Sequence, residues 1–186
     1  MPRPVCPRCL RPRLTCICDL VLPLANRIEL LILQHPLEEQ QAKGTARLLH
    51  LCLARSTLRV GERFDPAELA PLLDGAVLLY PQEPADPGPP LPAAPQRLIV
   101  LDGTWRKSRK MLALNPLLQG LPRLSWAAPP PSRYAVRRAQ RPQQLSTLEA
   151  AALALGQLEG RPEAFAALQQ VFDGLMARLT GPASRG

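Results

Sequence analysis

An acid, a hydroxyl and a tryptophan stand close together at residues 102–105, directly after an apolar run. The run, residues 98–101, is typical of a buried strand, and the basic, amphipathic segment after Trp105 is typical of a helix. Ligands of open α/β proteins bind beyond the carboxyl ends of the strands. Asp102 could act there as a base, and Trp105 could stack on a ring. The simpler interpretation is that Asp102 or Thr104 only caps the helix.

Four cysteines near the start of the chain offer metal chemistry. They have the spacing Cys6-x2-Cys9-x6-Cys16-x-Cys18, which allows four thiols to converge on one tetrahedral zinc ion. Four sulfur ligands leave no open coordination position, so the predicted role is structural. The arginines around this module could hold RNA phosphates. A fifth cysteine, Cys52, falls on the apolar stripe of a predicted helix and is expected in the core.

A third group of polar residues follows a strand predicted at residues 28–33. His35 and Glu38 occur where this strand gives way to a helix, again at the end of a strand. Glu38 could simply complement the helix dipole, and His35 could cap the strand. Arg47 follows a turn of small residues, from which its guanidinium could reach a carboxylate or a phosphate. Spacing alone assigns no role to these three residues.

The elements that must position these residues alternate between strand and helix. Strands are predicted at residues 28–33, 57–60, 76–80, 98–101 and 121–126. Helices are predicted at residues 37–54 and 69–73, from 105 to just before Pro116, after the capping box Ser146-Thr147-Leu148-Glu149, and at 162–179. This alternation predicts an α/β fold with a mainly parallel sheet and helices on both faces. The proline-rich residues 81–95 are expected to form an extended, exposed loop.

Length and charge narrow the class of protein. A chain of 186 residues corresponds to about one domain with a substantial core. A formal net charge of +8 favours an anionic partner, nucleic acid first, although an excess of arginine can also reflect a GC-rich genome. No apolar run is long enough for a membrane span, and no signal peptide is recognisable. We therefore expect a cytoplasmic protein with reduced thiols, and a monomer by default.

Four elements, taken in chain order, resemble the signature of the DTW-domain proteins. They are the four-cysteine module, His35-Pro36-x-Glu38 with Thr45-x-Arg47-Leu48, Asp102-x-Thr104-Trp105, and Ser146-Thr147-Leu148-Glu149-Ala150. The resemblance implies a tRNA-uridine aminocarboxypropyltransferase, which moves the 3-amino-3-carboxypropyl group of S-adenosylmethionine to N3 of a uridine in tRNA and forms acp3U. It also implies a zinc-knuckle module of four cysteines at residues 1–22, with structural Zn²⁺, and a SPOUT-like catalytic domain at 23–186 with a C-terminal trefoil knot.

The resemblance assigns roles to individual residues. Asp102 is implied to be the general base, in a catalytic group with Thr104 and Trp105; alternatively, Asp102 binds the ammonium group of the cofactor. Trp105 could wall the pocket or stack on a base, or be only a core residue. Residues expected around the adenosine are Tyr80, Pro81, Leu101, Gly103, Leu145, Ser146, Thr147 and Leu148. Residues expected to bind tRNA are His35, Glu38, Arg47, Arg133, Arg137, Arg138 and Arg141.

Two other functions remain open at this point. A related family performs the same transfer onto ribosomal RNA, so the acceptor could be ribosomal. The cysteine module and the positive charge would also suit a zinc-knuckle RNA-binding protein without catalytic activity. The sequence does not identify the tRNA or the uridine.

Overall fold

The computed structural model describes residues 4–82, 88–126 and 145–180 of the chain. Within these ranges the strands are β1 (Glu29–Gln34), β2 (Ser56–Val60), β3 (Ala76–Leu79), β4 (Arg97–Asp102) and β5 (Arg123–Leu124). The α-helices are α1 (Ala46–Cys52), α2 (Pro66–Leu69), α3 (Trp105–Leu114), α4 (Pro116–Gln119), α5 (Thr147–Glu159) and α6 (Pro162–Thr180). None of the described helices is long and apolar enough to cross a membrane.

The strands form one sheet in the order β2-β1-β4-β3-β5, and every neighbouring pair is parallel. This confirms the predicted parallel sheet. In the register between β1 and β4, Gln34 lies beside Asp102, so the two strands end at the same level. The carboxyl ends of all the described strands therefore share one edge of the sheet, where a site is expected.

Alternate strand residues face two separate cores, as the period of a strand requires. Leu30 and Ile32 pack into the larger core with residues of α1, α5 and α6. Leu31 and Leu33 pack into the smaller core with residues of α2, α3 and α4. Helices thus cover both faces, as predicted, and Cys52 is buried in the larger core.

The helix predicted at residues 37–54 is wrong in its first part, because α1 begins only at Ala46. Before it, the chain forms a 3-10 turn at Pro36–Glu38. Two further turns follow, closed by backbone bonds from Gln41 to Glu38 and from Gly44 to Gln41. Residues 38–44 contain almost no apolar side chain, so a helix there would have no face to pack, and packing supplies most helical stability.

Smaller differences concern the other short elements. The predicted helix at 69–73 begins earlier, at Pro66, where Asp65 accepts a hydrogen bond from the Ala67 N–H at 2.8 Å. Helix α4, which starts at Pro116, is absent from the prediction, and β5 has two residues instead of the predicted six. The capping box is confirmed: Ser146 Oγ accepts from the Glu149 N–H at 3.2 Å, and the Glu149 carboxylate accepts from the Ser146 N–H at 2.8 Å.

The cysteine module packs against the rest of the chain through Cys9 and Ile17, which are buried in the larger core, and through polar contacts. The Arg178 guanidinium, near the end of α6, donates to the Cys16 carbonyl at 2.8 Å and forms an ion pair with Asp19. On the other side, Arg11 donates to the Gly44 carbonyl at 2.8 Å. The module is therefore held between α6 and the loop before α1. The domain boundary at residue 22 and the trefoil knot both stay predictions.

A candidate active site at the carboxyl ends of the strands

A pocket of about 870 Å³ opens at the carboxyl ends of the strands. Its wall is built from residues within 38–45 after β1, 79–82 at the end of β3, 100–109 around the end of β4, 124–126 at the end of β5, and 145–150 at the start of α5. The volume lies within the range of roughly 300–1,000 Å³ that small-molecule sites occupy. The edge of the sheet predicted to carry the chemistry therefore carries a cavity of suitable size.

Asp102, the last residue of β4, lies in this wall and is only 6% exposed. Its Oδ2 accepts a hydrogen bond from Gln34 Nε2 at 2.9 Å, and its Oδ1 accepts one from the Thr147 hydroxyl at 2.5 Å. The carboxylate is thus oriented by β1 on one side and by the start of α5 on the other. Side-chain donors hold both oxygens, so the interpretation of Asp102 as a mere helix cap is wrong.

Thr104 caps α3 instead. Its Oγ1 accepts from the Lys107 N–H at 3.4 Å, and its side chain is exposed at the rim of the pocket. Gly103 allows the turn to pack closely against its neighbours. A Cβ on Gly103 would lie 3.1 Å from the Lys107 Cβ and 3.6 Å from the His35 Cβ. A side chain at Gly103 would therefore push α3 away from the end of β1.

Trp105 lies at the rim of the pocket, where 48% of it is exposed. The alternative that it is a core residue is therefore wrong. Its ring meets that of Tyr80 edge-on, with centroids 5.9 Å apart and planes at 72°. The Tyr80 hydroxyl is buried and has no hydrogen-bond partner within the described ranges. These rings give one side of the cavity an aromatic surface.

A second carboxylate, Glu38, also lines the pocket. It is buried, and its Oε1 accepts a hydrogen bond from Lys107 Nζ at 2.7 Å. Lys107 is not among the predicted site residues. No sequence pattern near Lys107 indicates a role in the site, because its contact joins α3 to the turn after β1 across the end of the sheet. The sequence placed Glu38 correctly at a strand end but could not reveal its partner.

His35 and Arg47 do not line the pocket. His35 is buried; its Nδ1 accepts from the Leu37 N–H at 3.1 Å, and its Nε2 lies 2.5 Å from a Glu62 oxygen. The other Glu62 oxygen accepts from Lys110 at 2.7 Å. Lys110 and His35, in that order, lower the pKa of Glu62. His35 thus supports the turn after β1 from behind the cavity.

The start of α5 closes the pocket on the side of the larger core. Leu145, Ser146 and Thr147 lie in the wall, as do Tyr80, Pro81, Leu101 and Gly103 from the same predicted set. Leu148 is fully buried behind the wall, and its N–H donates to the buried Thr45 hydroxyl at 3.2 Å. The structure therefore brings seven of the eight predicted residues to one cavity and places the eighth directly behind it.

The four module cysteines form a compact cluster in which all sulfur atoms lie within 4.8 Å of one another. Cys6 Sγ and Cys18 Sγ are 3.7 Å apart, and so are Cys9 Sγ and Cys16 Sγ. Four sulfurs about 2.3 Å from a tetrahedral zinc would lie about 3.8 Å from one another. The cluster could therefore hold one zinc ion with little movement.

The pKa values of the cluster cysteines also favour a bound cation. Backbone N–H groups of Cys9 and Arg8 lower the pKa of Cys6 to about 6. Burial and then the neighbouring cysteines raise the pKa of Cys18 to about 12. Four thiolates this close repel one another, so a cation is needed before all of them can be deprotonated together.

The rim of the pocket carries positive charge. Lys43, Arg106 and Arg109 contribute to its lining, and Arg106 and Arg109 are exposed on α3. The sequence marks this helix as basic but does not assign these arginines to a site. The predicted tRNA-binding arginines Arg133, Arg137, Arg138 and Arg141 lie outside the described residues.

The chain is similar to a family of known proteins. A family model described as the DTW domain matches residues 3–180. The chain is 35% identical over 170 residues to tRNA-uridine aminocarboxypropyltransferase 2 of Mus musculus, covering 84% of this chain and 57% of the mouse protein. The protein of that name from Drosophila melanogaster is also 35% identical over 170 residues, with 85% of this chain and 68% of the relative covered.

The relative of the same name from Macaca fascicularis is 34% identical over 171 residues, which cover 84% of this chain and 57% of the macaque protein. The matched part is therefore a little over half the length of the mouse and macaque relatives. No solved structure matches the chain significantly.

Proposed function

This chain belongs to the DTW-domain family, and from that premise we propose that it is a tRNA-uridine aminocarboxypropyltransferase. The reaction we propose moves the 3-amino-3-carboxypropyl group of S-adenosylmethionine to N3 of a tRNA uridine and forms acp3U. One observation carries the proposal: a buried aspartate, Asp102, is oriented by two side-chain donors in a cavity with an exposed tryptophan at its rim.

The lining of the pocket suits S-adenosylmethionine. This cofactor carries two positive charges near its reactive carbon, on the sulfonium and the ammonium, and two carboxylates, Asp102 and Glu38, lie in the wall. Tyr80 and Trp126 supply aromatic surface for a purine ring. When bound, S-adenosylmethionine supplies an electrophilic carbon next to the sulfonium, and breaking that C–S bond releases methylthioadenosine.

Asp102 is the proposed proton acceptor. Uridine N3 is a poor nucleophile until it loses its proton, and the new N3–C bond requires that loss. A carboxylate oxygen can accept more than one hydrogen bond, so the donors Gln34 and Thr147 do not prevent it from receiving a proton. A hydroxyl can accept as well as donate, so Thr147 could reverse its hydrogen bond when the proton arrives on Oδ1. The Gln34 amide nitrogen can only donate, which disfavours protonation on Oδ2.

Glu38 is proposed to bind the ammonium group of the aminocarboxypropyl chain. Lys107 occupies one of its oxygens, and the other accepts no hydrogen bond from the described residues. Lys107 balances part of the negative charge of this buried side chain. In this assignment Glu38 binds the ammonium group and Asp102 accepts the proton of uridine N3.

The module cysteines Cys6, Cys9, Cys16 and Cys18 are proposed to hold a structural Zn²⁺, in a cytoplasmic protein whose thiols stay reduced. Arg11 extends from this module to the Gly44 carbonyl, and Gly44 lines the pocket. The metal would therefore help to hold one wall of the pocket in place through the Arg11 side chain.

Incubating the purified chain with S-adenosylmethionine and unmodified tRNA tests the function. Release of methylthioadenosine, with acp3U found by mass in the digested tRNA, is the expected result. Release of S-adenosylhomocysteine would mean methyl transfer and would overturn the proposal. Activity on ribosomal RNA but not on tRNA would mean that ribosomal RNA is the acceptor, and would overturn tRNA as the proposed substrate. No product from either RNA, with RNA binding retained, would instead support a binding protein.

A further inference from the structure

We propose that the start of α3 is the edge that receives RNA: Trp105 stacks on the acceptor base, while Arg106 and Arg109 bind the phosphates that flank it. This inference rests on the proposed function and adds to it the surface on which the RNA lies. The three residues are called the α3 edge below.

The helix geometry places these residues together at the mouth of the pocket. Trp105 and Arg109 are four positions apart and thus on the same face of α3, and Arg106 adjoins Trp105 in sequence. All three are exposed and all three line the pocket. Contact with Tyr80 fixes the position of the Trp105 ring, yet about half of Trp105 is open to a ligand, since it is 48% exposed.

The charges of α3 divide into two groups. Lys107 is paired with Glu38 at 2.7 Å, and Lys110 is paired with Glu62 at 2.7 Å, so both lysines hold acids of the protein. Neither Arg106 nor Arg109 forms an ion pair or hydrogen bond within the described ranges. Guanidinium groups bind phosphate through two parallel hydrogen bonds. The two cations of α3 that remain for a ligand are therefore guanidinium groups, the type best suited to a nucleic-acid backbone.

The proposed chemistry requires an unpaired nucleotide. N3 lies on the Watson–Crick edge of uridine, which base pairing occupies, so the acceptor must be unpaired when it reacts. Single-stranded nucleic acids are bound by aromatic side chains that stack on bases and by cations that follow the backbone. The α3 edge has this composition, and the carboxylate of Asp102 lies in the same cavity.

The first experiment compares Arg106→Gln/Arg109→Gln with Arg63→Gln. Arg63 is an exposed arginine that does not line the pocket, which makes it a matched control. Binding of unmodified tRNA is measured against salt, and binding of S-adenosylmethionine by calorimetry. We expect the double variant to lose on the order of tenfold in tRNA affinity, and its log–log salt slope to fall by about 0.7–0.9 per arginine. S-adenosylmethionine affinity should stay unchanged, and the control should match wild type.

A second pair of variants tests the stacking. Trp105→Phe keeps an aromatic ring and should retain most of the affinity for a short uridine-containing single strand. Trp105→Leu should lose about 1–3 kcal/mol, equivalent to about 5- to 150-fold, the worth of one stacked base. Equal affinity in the two variants would overturn the stacking part of the proposal.

An unchanged salt slope in the double arginine variant would overturn the phosphate contacts. Loss of S-adenosylmethionine affinity with normal tRNA binding would also overturn them, because the arginines would then bind the cofactor carboxylate. These binding measurements need no turnover. If wild type released no methylthioadenosine, the proposed function would fail, while the α3 edge would still be tested by tRNA binding alone.

Discussion

Thr147, the first residue of α5, donates its hydroxyl hydrogen to Asp102, the last residue of β4, at 2.5 Å. This contact joins residues 45 positions apart. It connects β4, which pairs with both β1 and β3, to the helix that closes the pocket. The orientation of the proposed base therefore depends on where α5 begins.

Replacing Thr147 tests this dependence. Thr147→Val keeps the shape but removes the hydroxyl, and we expect kcat to fall about 10- to 150-fold, the value of a hydrogen bond of about 1.5–3 kcal/mol to a charged group. Affinity for S-adenosylmethionine should change little. Thr147→Ser, which keeps the hydroxyl, is the control and should remain within a few-fold of wild type. A valine variant with wild-type kcat would show that the contact is only structural.

Asp102→Asn tests the base directly. The amide can still accept from Gln34, and the Thr147 hydroxyl can turn to accept from the amide nitrogen, so the local structure should persist. Turnover should fall by roughly two to four orders of magnitude, the usual contribution of a general base, and the pH profile of the residual activity should change. S-adenosylmethionine affinity should be close to wild type. If affinity instead falls by the same factor as the rate, Asp102 binds the ammonium group and is not the base.

Metal analysis tests the cysteine cluster. We expect one zinc per chain in protein purified without chelators, because the sulfur spacing already matches a tetrahedral site. Cys18→Ser should lose the metal and lower the melting temperature. Cys52→Ser, which changes a buried core cysteine, should keep the metal whatever its effect on stability. Clearly less than one zinc in wild type would contradict the prediction.

Glu159 predicts a pH-dependent contribution to stability. Its buried carboxylate accepts from the Arg27 and Ile28 N–H groups at 2.7 and 2.9 Å and from Arg161 at 2.7 Å, which ties the end of α5 to the start of β1. Burial raises the pKa of Glu159, but the N–H of Ile28, the Arg161 side chain and the N–H of Arg27 outweigh it and lower the pKa below its ordinary value of 4.5. Glu159→Gln should therefore lower the unfolding free energy at pH 7 by about 2 kcal/mol.

The sign of the pH effect follows from the lowered pKa. The contribution of Glu159 is fully present above the ordinary pKa of 4.5, which it has in the unfolded chain, and is lost as the pH falls through the lower folded pKa. Urea unfolding at several pH values should show the difference between wild type and Glu159→Gln shrinking below about pH 4. Glu163→Gln, at an exposed position of α6, is the control and should stay within about 0.5 kcal/mol of wild type. A difference that does not depend on pH would contradict the assignment.

Local patterns were enough to predict the parts of the fold that depend on neighbouring residues. The apolar runs predicted β1 and β4, the capping box marked the start of α5, and the cysteine spacing indicated that the four thiols lie together. Contacts between residues on different strands and helices could not be predicted from local patterns. The bond from Gln34 to Asp102 follows from the register of β1 and β4, and the pair of Glu38 with Lys107 depends on how α3 crosses the sheet end. No periodicity within one segment contains that information.

The order of the strands in the sheet is expected to make folding slow. Pairing β1 with β4 brings together residues 68 positions apart, such as Glu29 and Arg97, and closing such long loops lowers folding rates. We expect refolding over milliseconds to seconds, with the pocket forming only after both strands and α5 are in place. A ligand of the pocket then has nothing to bind before the last folding step. It would prolong the lifetime of the native chain by slowing unfolding, while leaving the folding rate unchanged.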